Sequence, residues 1–393
     1  MNILHSILGV LFVLALALLV SKDRKAIKIR PIIQLLIIEV LLAWFLLASD
    51  YGLIIINEIS KLFDLFLKFS NIGTKFVFSE QFLKDNFFFA QVLMPIIFMS
   101  ALIGILKYFK IMNYIINALG YVLSKVNGMG KLESFNAISA LFFGQEENFV
   151  VYKDVIDKIS ERRLYTLAAM SMSTVSLSIL GAYISMLDPK YVLTAIILNI
   201  FSTFIVLSLV NPYDHKEELE YNKLQTEKTE SSFFQMLTDY IITGFKVAMI
   251  VAAMMIGFLA LLALLDHVFA SILGVSFREI LGYIFYPIAW IIGIPSDEAL
   301  NAGMIMGTKV AANEFPAIDL LKQLSGQLSE HSKAIVTIFL ISFANFGSIG
   351  IITGSIKALS NKQGNVVAKY GFKLIFGATL VNLLSATIAG LVI

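Results

Sequence analysis

Two short runs place carboxylates and amides beside helix-breaking residues in otherwise apolar surroundings: Gly144-Gln145-Glu146-Glu147-Asn148 and Gly293-Ile294-Pro295-Ser296-Asp297-Glu298. Two further runs carry hydroxyl and amide groups, Ser171-Met172-Ser173-Thr174-Val175-Ser176-Leu177-Ser178 and Phe343-Ala344-Asn345-Phe346-Gly347-Ser348-Ile349-Gly350. An ionised carboxylate accepts hydrogen bonds from hydroxyls or holds a cation, an amide both donates and accepts, and a phenylalanine face stacks on a flat ring. No arginine lies within these runs to pair with a fixed anion, so the set suits a neutral polar solute. Lys309 is the nearest base, and the Thr308-Lys309 to Asn313-Glu314 spacing offers it Glu314 as a local partner. Hydrolysis on the paired carboxylates is disfavoured, because none of His5, His215, His267 and His331 falls beside them. The absence of cysteine removes disulfides and thiolate metal sites. Neither a metal nor a cofactor is expected.

The elements that must position these residues belong in lipid. Hydrophobic residues make up 58% of the 393 and charged residues 15%, with a mean hydropathy of +0.83, outside the range of water-soluble chains. A net charge of +2 argues against a nucleic-acid surface. Eight near-uncharged runs are long enough to span a bilayer: about 3–20, 32–48, 88–106, 164–186, 191–210, 241–265, 334–356 and 374–393. The first is read as a retained span, since its basic cluster (Lys22, Arg24, Lys25, Lys28, Arg30) follows the apolar run instead of preceding it. That cluster belongs in the cytoplasm, which puts the N-terminus outside. The other basic-rich stretches, 107–131, 153–163, 212–233 and 357–373, then fall on the cytoplasmic side without adjustment, and the C-terminus lies outside.

Residues 53–69 form an amphipathic pattern suited to an interfacial helix, and 212–231 read as a charged linker. Residues 131–157 and 279–312 are apolar but carry polar breaks at their centres. Both are expected to be re-entrant helical hairpins, tolerated where protein or a cavity satisfies the broken backbone. Each is followed by two spans, and the two sets face opposite ways, which is the inverted-repeat arrangement of secondary transporters. The expected class is an all-α polytopic membrane protein with about eight transmembrane helices and two oppositely oriented hairpins. At the tips Glu147 and Glu298 sit near helix N-termini, where the macrodipole favours an anion by about 0.3–1 kcal/mol or more, and Ser296 can cap. A carboxylate at membrane depth costs about 2.5–3.5 kcal/mol, so two such clusters in matched places point to a site.

At Gly144-Gln145-x-Glu147-Asn148-Phe149, Pro295-Ser296-x-Glu298-Ala299, Gly307-x-Lys309 with Asn313-Glu314-Phe315, and Ser342-Phe343-Ala344-Asn345-Phe346-x-Ser348-Ile349, the chain resembles the concentrative nucleoside transporters over essentially its whole length. The resemblance implies nucleoside import by cation symport in the inner membrane. It also implies a homotrimer and an elevator motion of a transport unit against a scaffold. Residues 1–130 would supply scaffold spans with interfacial helices, 131–210 the first transport repeat, 211–278 the linker and a scaffold span, and 279–393 the second transport repeat. Carried over by residue, Gln145 and Glu147 face the base with Glu146 beside them, Phe343 lines the base, and Glu298, Asn345 and Ser348 hold the ribose. Ion coupling falls to Glu147, Ser178 and Ile179. Two positions depart from the family pattern: Glu146 replaces a hydroxyl residue, and Ala140 replaces an asparagine that supplies a sodium ligand. The lost oxygen favours a proton over sodium as the coupling ion; pyrimidine nucleosides such as uridine are expected as substrates, with adenosine second.

Overall fold

The computed structural model describes residues 3–84, 88–153, 155–213 and 232–393, with the side chains of residues 3–4, 82–84 and Glu146 outside the description. Most of the expected linker, residues 214–231, likewise lies outside the described residues. Among those described, every regular element is helical. Six helices are long and apolar enough to cross a membrane: Ile29–Ala48, Phe89–Tyr108, Glu161–Met186, Pro189–Val210, Phe233–Leu273 and Gly371–Val392. Two shorter apolar elements, Ile3–Leu19 and the interrupted pair Glu330–Leu340 and Phe346–Leu359, occupy the remaining two positions read from hydropathy.

In chain order the helices are α1 Ile3–Leu19, α2 Ile29–Ala48, α3 Asp50–Lys84, α4 Pro95–Tyr108 and α5 Ile111–Val126. The first repeat follows with α6 Lys131–Glu147, α7 Glu161–Met172, α8 Leu177–Met186 and α9 Pro189–Val210. Then come α10 Phe233–Leu273, α11 Phe277–Ile291, α12 Ala299–Ala311, α13 Glu314–Gln323, α14 Glu330–Leu340, α15 Phe346–Leu359, α16 Asn361–Lys369 and α17 Gly371–Val392. Polar caps set many of the starts. Ser160 accepts from Arg163 N at α7, Asp188 precedes Pro189 at α9, and Ser276 forms a reciprocal capping box with Glu279 at α11. Gly274 ends α10 in the left-handed conformation.

Burial sorts these helices into a centre and a rim. α9 and α17 are mostly buried, whereas α10 has only four buried residues along its 41, Met236, Gly244, Ala248 and Leu262. At 1.5 Å per residue α10 is roughly 60 Å long, about twice the hydrocarbon thickness. Large apolar side chains such as Trp44, Ile54, Phe245 and Ile256 face outward from α2, α3 and α10. In lipid an apolar exterior carries no hydrophobic cost, so only the centre need be polar. The amphipathic pattern at 53–69 belongs to a longer helix, α3, with a non-helical residue at Ser79 (φ 73°).

The first hairpin lies where the sequence places it. α6 runs to a break at Gly144, whose φ of 75° is a conformation that L side chains avoid, and short helical turns Asn148–Tyr152 and Ile156–Lys158 lead back to α7. Asn148 holds the return arm to the outgoing one: its amide donates to Asn136 Oδ1 (2.8 Å) and Ser171 Oγ (2.9 Å), and its oxygen accepts from Ser139 (2.5 Å).

The second hairpin has a different register from the one expected. α11 and α12 do pack as an antiparallel pair around the 293–298 turn, with Gly303 of α12 against Gly282 and Tyr286 backbone of α11 so closely that a Cβ would meet Gly282 O at 2.6 Å. The counterpart of the first hairpin is instead α12, a break at Ala312-Asn313, and α13. Both α12 and the arm of α6 before Gly144 are followed by a break, a returning arm, an interrupted span and a final long helix. The misreading has a physical cause: Gly293 and Pro295 are strong breakers, whereas the Ala312-Asn313 break contains neither glycine nor proline.

A buried bidentate ion pair ties the first hairpin to its partner span. Arg163 Nε donates to Glu133 Oε1 (2.7 Å) and its second nitrogen to Oε2 (3.1 Å), while Tyr213 OH donates to Oε1 (2.7 Å). Removing one member of such a pair strands a buried charge at a cost of about 3–5 kcal/mol. Arg163→Met is therefore expected to lower the thermal unfolding midpoint in detergent markedly, and the Glu133→Gln, Arg163→Met double variant to recover part of that loss.

Candidate functional site

Four helix interruptions converge at the middle of the structure: Gly144 in α6, residues 173–176 between α7 and α8, Ala312-Asn313 between α12 and α13, and residues 341–345 between α14 and α15. The two interrupted spans bond to each other there, Phe343 N–H donating to the Thr174 carbonyl (3.2 Å). Asn199 of α9 donates its amide to the Ile341 carbonyl (2.6 Å). Each new half-helix in the second repeat starts on an asparagine: Asn313 Oδ1 accepts from Phe315 N (3.0 Å) and Asn345 Oδ1 from Ser348 N (2.9 Å). These bonds satisfy the backbone groups that the breaks set free.

Around these breaks lies a cavity of about 140 Å³, lined by Gly144, Gln145, Glu147, Ser176, Ser178, Ile179, Asn313, Glu314, Phe315, Phe343, Asn345 and Ser348. One wall comes from α4 and α10, through Ile96, Ser100, Tyr240, Val247 and neighbouring residues. Of the residues proposed from sequence, Gln145, Glu147, Ser178, Ile179, Phe343, Asn345 and Ser348 therefore come together. Only the backbone of Glu146 is among the described atoms, so its expected place beside the base lies outside the description.

Glu298 does not belong to this group. It sits at the α11–α12 turn, where its Oε2 accepts from Ser329 N (3.0 Å) and Ser329 Oγ (2.9 Å) at the start of α14. A carboxylate at a helix N-terminus bonded to a free N–H is well accounted for as an anchor between α12 and α14. Ser296 and Asp297 beside it are exposed.

The second acid in the cavity is Glu314, the first residue of α13. It is buried, accepts from Tyr183 OH of α8 (2.7 Å) and from Asn345 Nδ2 (3.3 Å), and so joins the second hairpin to both interrupted spans. A carboxylate offers about four acceptor positions; Tyr183 and Asn345 take two of them, and the Glu314 backbone N–H also donates to it, which still leaves capacity for a ligand. Glu314 also corrects the expected Lys309 pairing. The Lys309 ammonium donates to Ser342 Oγ (2.8 Å) and Asn382 Oδ1 (3.0 Å) and lies over the Phe339 ring at 4.7 Å, with no bond to Glu314. The sequence did hold a signal for Glu314: Asn313 is a good N-cap and Pro316 suits a first helical turn, so Asn313-Glu314-Phe315-Pro316 spells a helix start.

Other polar groups at the cavity retain bonding capacity. Among the described residues Gln145 Oε1 is buried without a hydrogen-bond partner, Ser176 and Ser178 share a bond at 2.9 Å, and the Asn345 amide has a second hydrogen beyond the one given to Glu314. An unsatisfied buried acceptor costs about 1–3 kcal/mol, which an N–H donor in the cavity would recover.

Interrupted spans and hairpin tips around one polar cavity define a multi-pass membrane transporter. Residues 8–81 match the family described as Na+ dependent nucleoside transporter N-terminus, 89–190 match Nucleoside recognition, and 191–390 match Na+ dependent nucleoside transporter C-terminus. The chain is 34% identical to the Bacillus subtilis purine nucleoside transport protein NupG, over 100% of this chain and 99% of that one. It is 28% identical to the Helicobacter pylori nucleoside permease NupC, over 99% and 98%. The solved structure of CNTnw in an inward-facing substrate-bound state superimposes with a TM-score of 0.91 at 31% identity, covering 99% of this chain and 98% of that one. The chain belongs to the concentrative nucleoside transporter family, whose members carry nucleosides and are not enzymes.

The two acids separate experimentally. Glu314→Gln is expected to weaken nucleoside binding by about 1.5–3 kcal/mol, the scale of a hydrogen bond to a charged group. Glu298→Gln should change it by less than about 0.5 kcal/mol, as for a position away from the site. Isothermal titration of the purified variants decides; equal losses would return Glu298 to the site.

Proposed function

We propose that this chain imports nucleosides across the inner membrane by proton symport, with Glu314 and Ser348 receiving the ribose and Gln145 and Glu147 the base. The observation that carries this reading is the convergence of two hairpin tips on one cavity. Acceptors, a hydroxyl and the Phe343 ring lie within it. Two ribose hydroxyls can share one carboxylate, and a site built on those bonds rejects analogues that lack them. Asn345 acts chiefly as a positioning residue, since its oxygen caps α15 and its amide orients Glu314. The purine transport assigned to the B. subtilis relative supports purine nucleosides, adenosine among them, as substrates beside uridine.

Proton coupling rests on Ala140, a fully buried hydrocarbon side chain four residues before Gly144, and on the carboxylates around the cavity. Sodium is the second reading, favoured by the family description and by the placement of Ser178 and Ile179 on the cavity wall. The basic stretches support cytoplasmic loops at 21–31, 107–131, 153–163 and 357–373, with both termini outside. Residues 131–210 and 279–393 act in this reading as the moving unit, sliding as an elevator against a scaffold that includes α4 and α10, and three copies assemble.

One inward charge gains about 2.3 kcal/mol per 100 mV, enough for roughly 50-fold accumulation per proton. Sodium-free proteoliposomes with an inward pH gradient are expected to concentrate radiolabelled uridine and inosine. Loss of concentrative uptake there, with rescue by sodium alone, would assign the coupling to sodium. Uptake that stops at equal concentrations under both gradients would indicate a channel.

A further inference from the structure

A second cavity, of about 290 Å³, shares no lining residue with the first. It lies at the end of the bundle where α1 and α9 finish and α7 and α17 begin. Lys22, Lys373 and Tyr165 form its polar side, and Val210, Phe372 and Phe376 its apolar side. Lys22 Nζ stands over the Tyr370 ring at 4.3 Å and near the Tyr165 ring at 5.7 Å. The Tyr165 hydroxyl donates to the Lys373 carbonyl (2.9 Å), which fixes the wall between the two lysines.

Positive groups outnumber the acid acting on Lys22 at this place. Among the described residues neither Lys22 nor Lys373 makes an ion pair, and neighbouring Arg162 donates to the Pro212 carbonyl (3.2 Å) and not to an acid. Glu161 is an acid that acts on Lys22, and it accepts from Tyr370 OH (3.1 Å). Burial, then Lys373 and then Arg162 hold the Lys22 ammonium below its ordinary value, with Glu161 opposing them. α17 also starts here at Gly371 without a side-chain cap, so the free N–H groups of a 22-residue helix add to the positive potential.

The apolar side identifies the source of the missing anion. Phe372 is 80% exposed and Phe376 38% exposed, on a helix that spans lipid. A free phosphate has no use for these rings, whereas an acyl chain does. Basic pockets between helices at the cytoplasmic surface are suited to anionic headgroups. We propose that this cavity binds the phosphate of an anionic phospholipid, with Lys22 and Lys373 on the headgroup and the chain along Phe372 and Phe376.

The test uses the purified full chain and three probes, phosphatidylglycerol, phosphatidylcholine and inorganic phosphate, with occupancy read by native mass spectrometry. Phosphatidylglycerol is expected to stay bound in preference to phosphatidylcholine and to resist competition by inorganic phosphate. With about 1 kcal/mol per lysine at such a surface, the K22Q/K373Q variant should hold it roughly 30-fold more weakly, while K22R/K373R keeps it. Unchanged nucleoside affinity in K22Q/K373Q would show that the fold and the central cavity survive. Full displacement by inorganic phosphate would make this a free-anion site and overturn the lipid assignment. Equal retention of the two lipids, or wild-type retention by K22Q/K373Q, would overturn the proposal altogether.

Discussion

A backbone N–H or C=O freed by a helix break has no water to turn to at membrane depth, and each one left unpaired costs several kcal/mol. This chain breaks four helices in one place and meets the cost by making the breaks serve one another. The Phe343 N–H finds the Thr174 carbonyl across the two interrupted spans, and the Ile341 carbonyl finds Asn199. The caps of α13 and α15 are supplied by Asn313 and Asn345. A cavity follows from the same arrangement, since side chains at a crossing of unwound segments cannot fill space as a continuous helix pair does. The polar centre and the cavity are thus one structural event.

Glu314 shows how closely support and function are joined there. Its carboxylate accepts from Tyr183 on α8 and Asn345 at the head of α15, so the tip of the second hairpin is registered against both interrupted spans. Hydrogen bonds that orient a carboxylate also restrict its rotamers, which lowers the entropy it would lose on pairing with a solute. Asn345 faces both tasks at once, with its oxygen on the helix cap and its amide on the acid.

Lys309 performs a different kind of support. Fully buried, it binds Ser342 and Asn382, while Ser342 also donates to Asn382 (2.6 Å). α12, the break before α15, and α17 are thereby joined in one cluster. Lysine supplies three donors from a single atom, and a cation at this depth without an ion pair requires such a set of oxygen acceptors together with the Phe339 face.

Legible in the sequence alone are the class, most of the spans, the first hairpin with its break at Gly144, and seven of the residues that line the cavity. Those features depend on hydropathy, helix breakers and local caps, which act within a turn or two and so are written in adjacent residues. The second hairpin's register, and with it the placement of Glu314 instead of Glu298 at the cavity, depends on packing between distant segments. Two helix starts, at 299 and 314, are both legible locally, and each follows a break with an acid beside it. Which break reaches the centre depends on α12 packing along α11 through Gly303 and Gly282, and on α13 meeting Tyr183 and Asn345 from distant parts of the chain. Lys309 was decided in the same way: its apparent partner lay five residues away in sequence, but the oxygens that satisfy it come from Ser342 and Asn382, which only the folded bundle brings within reach.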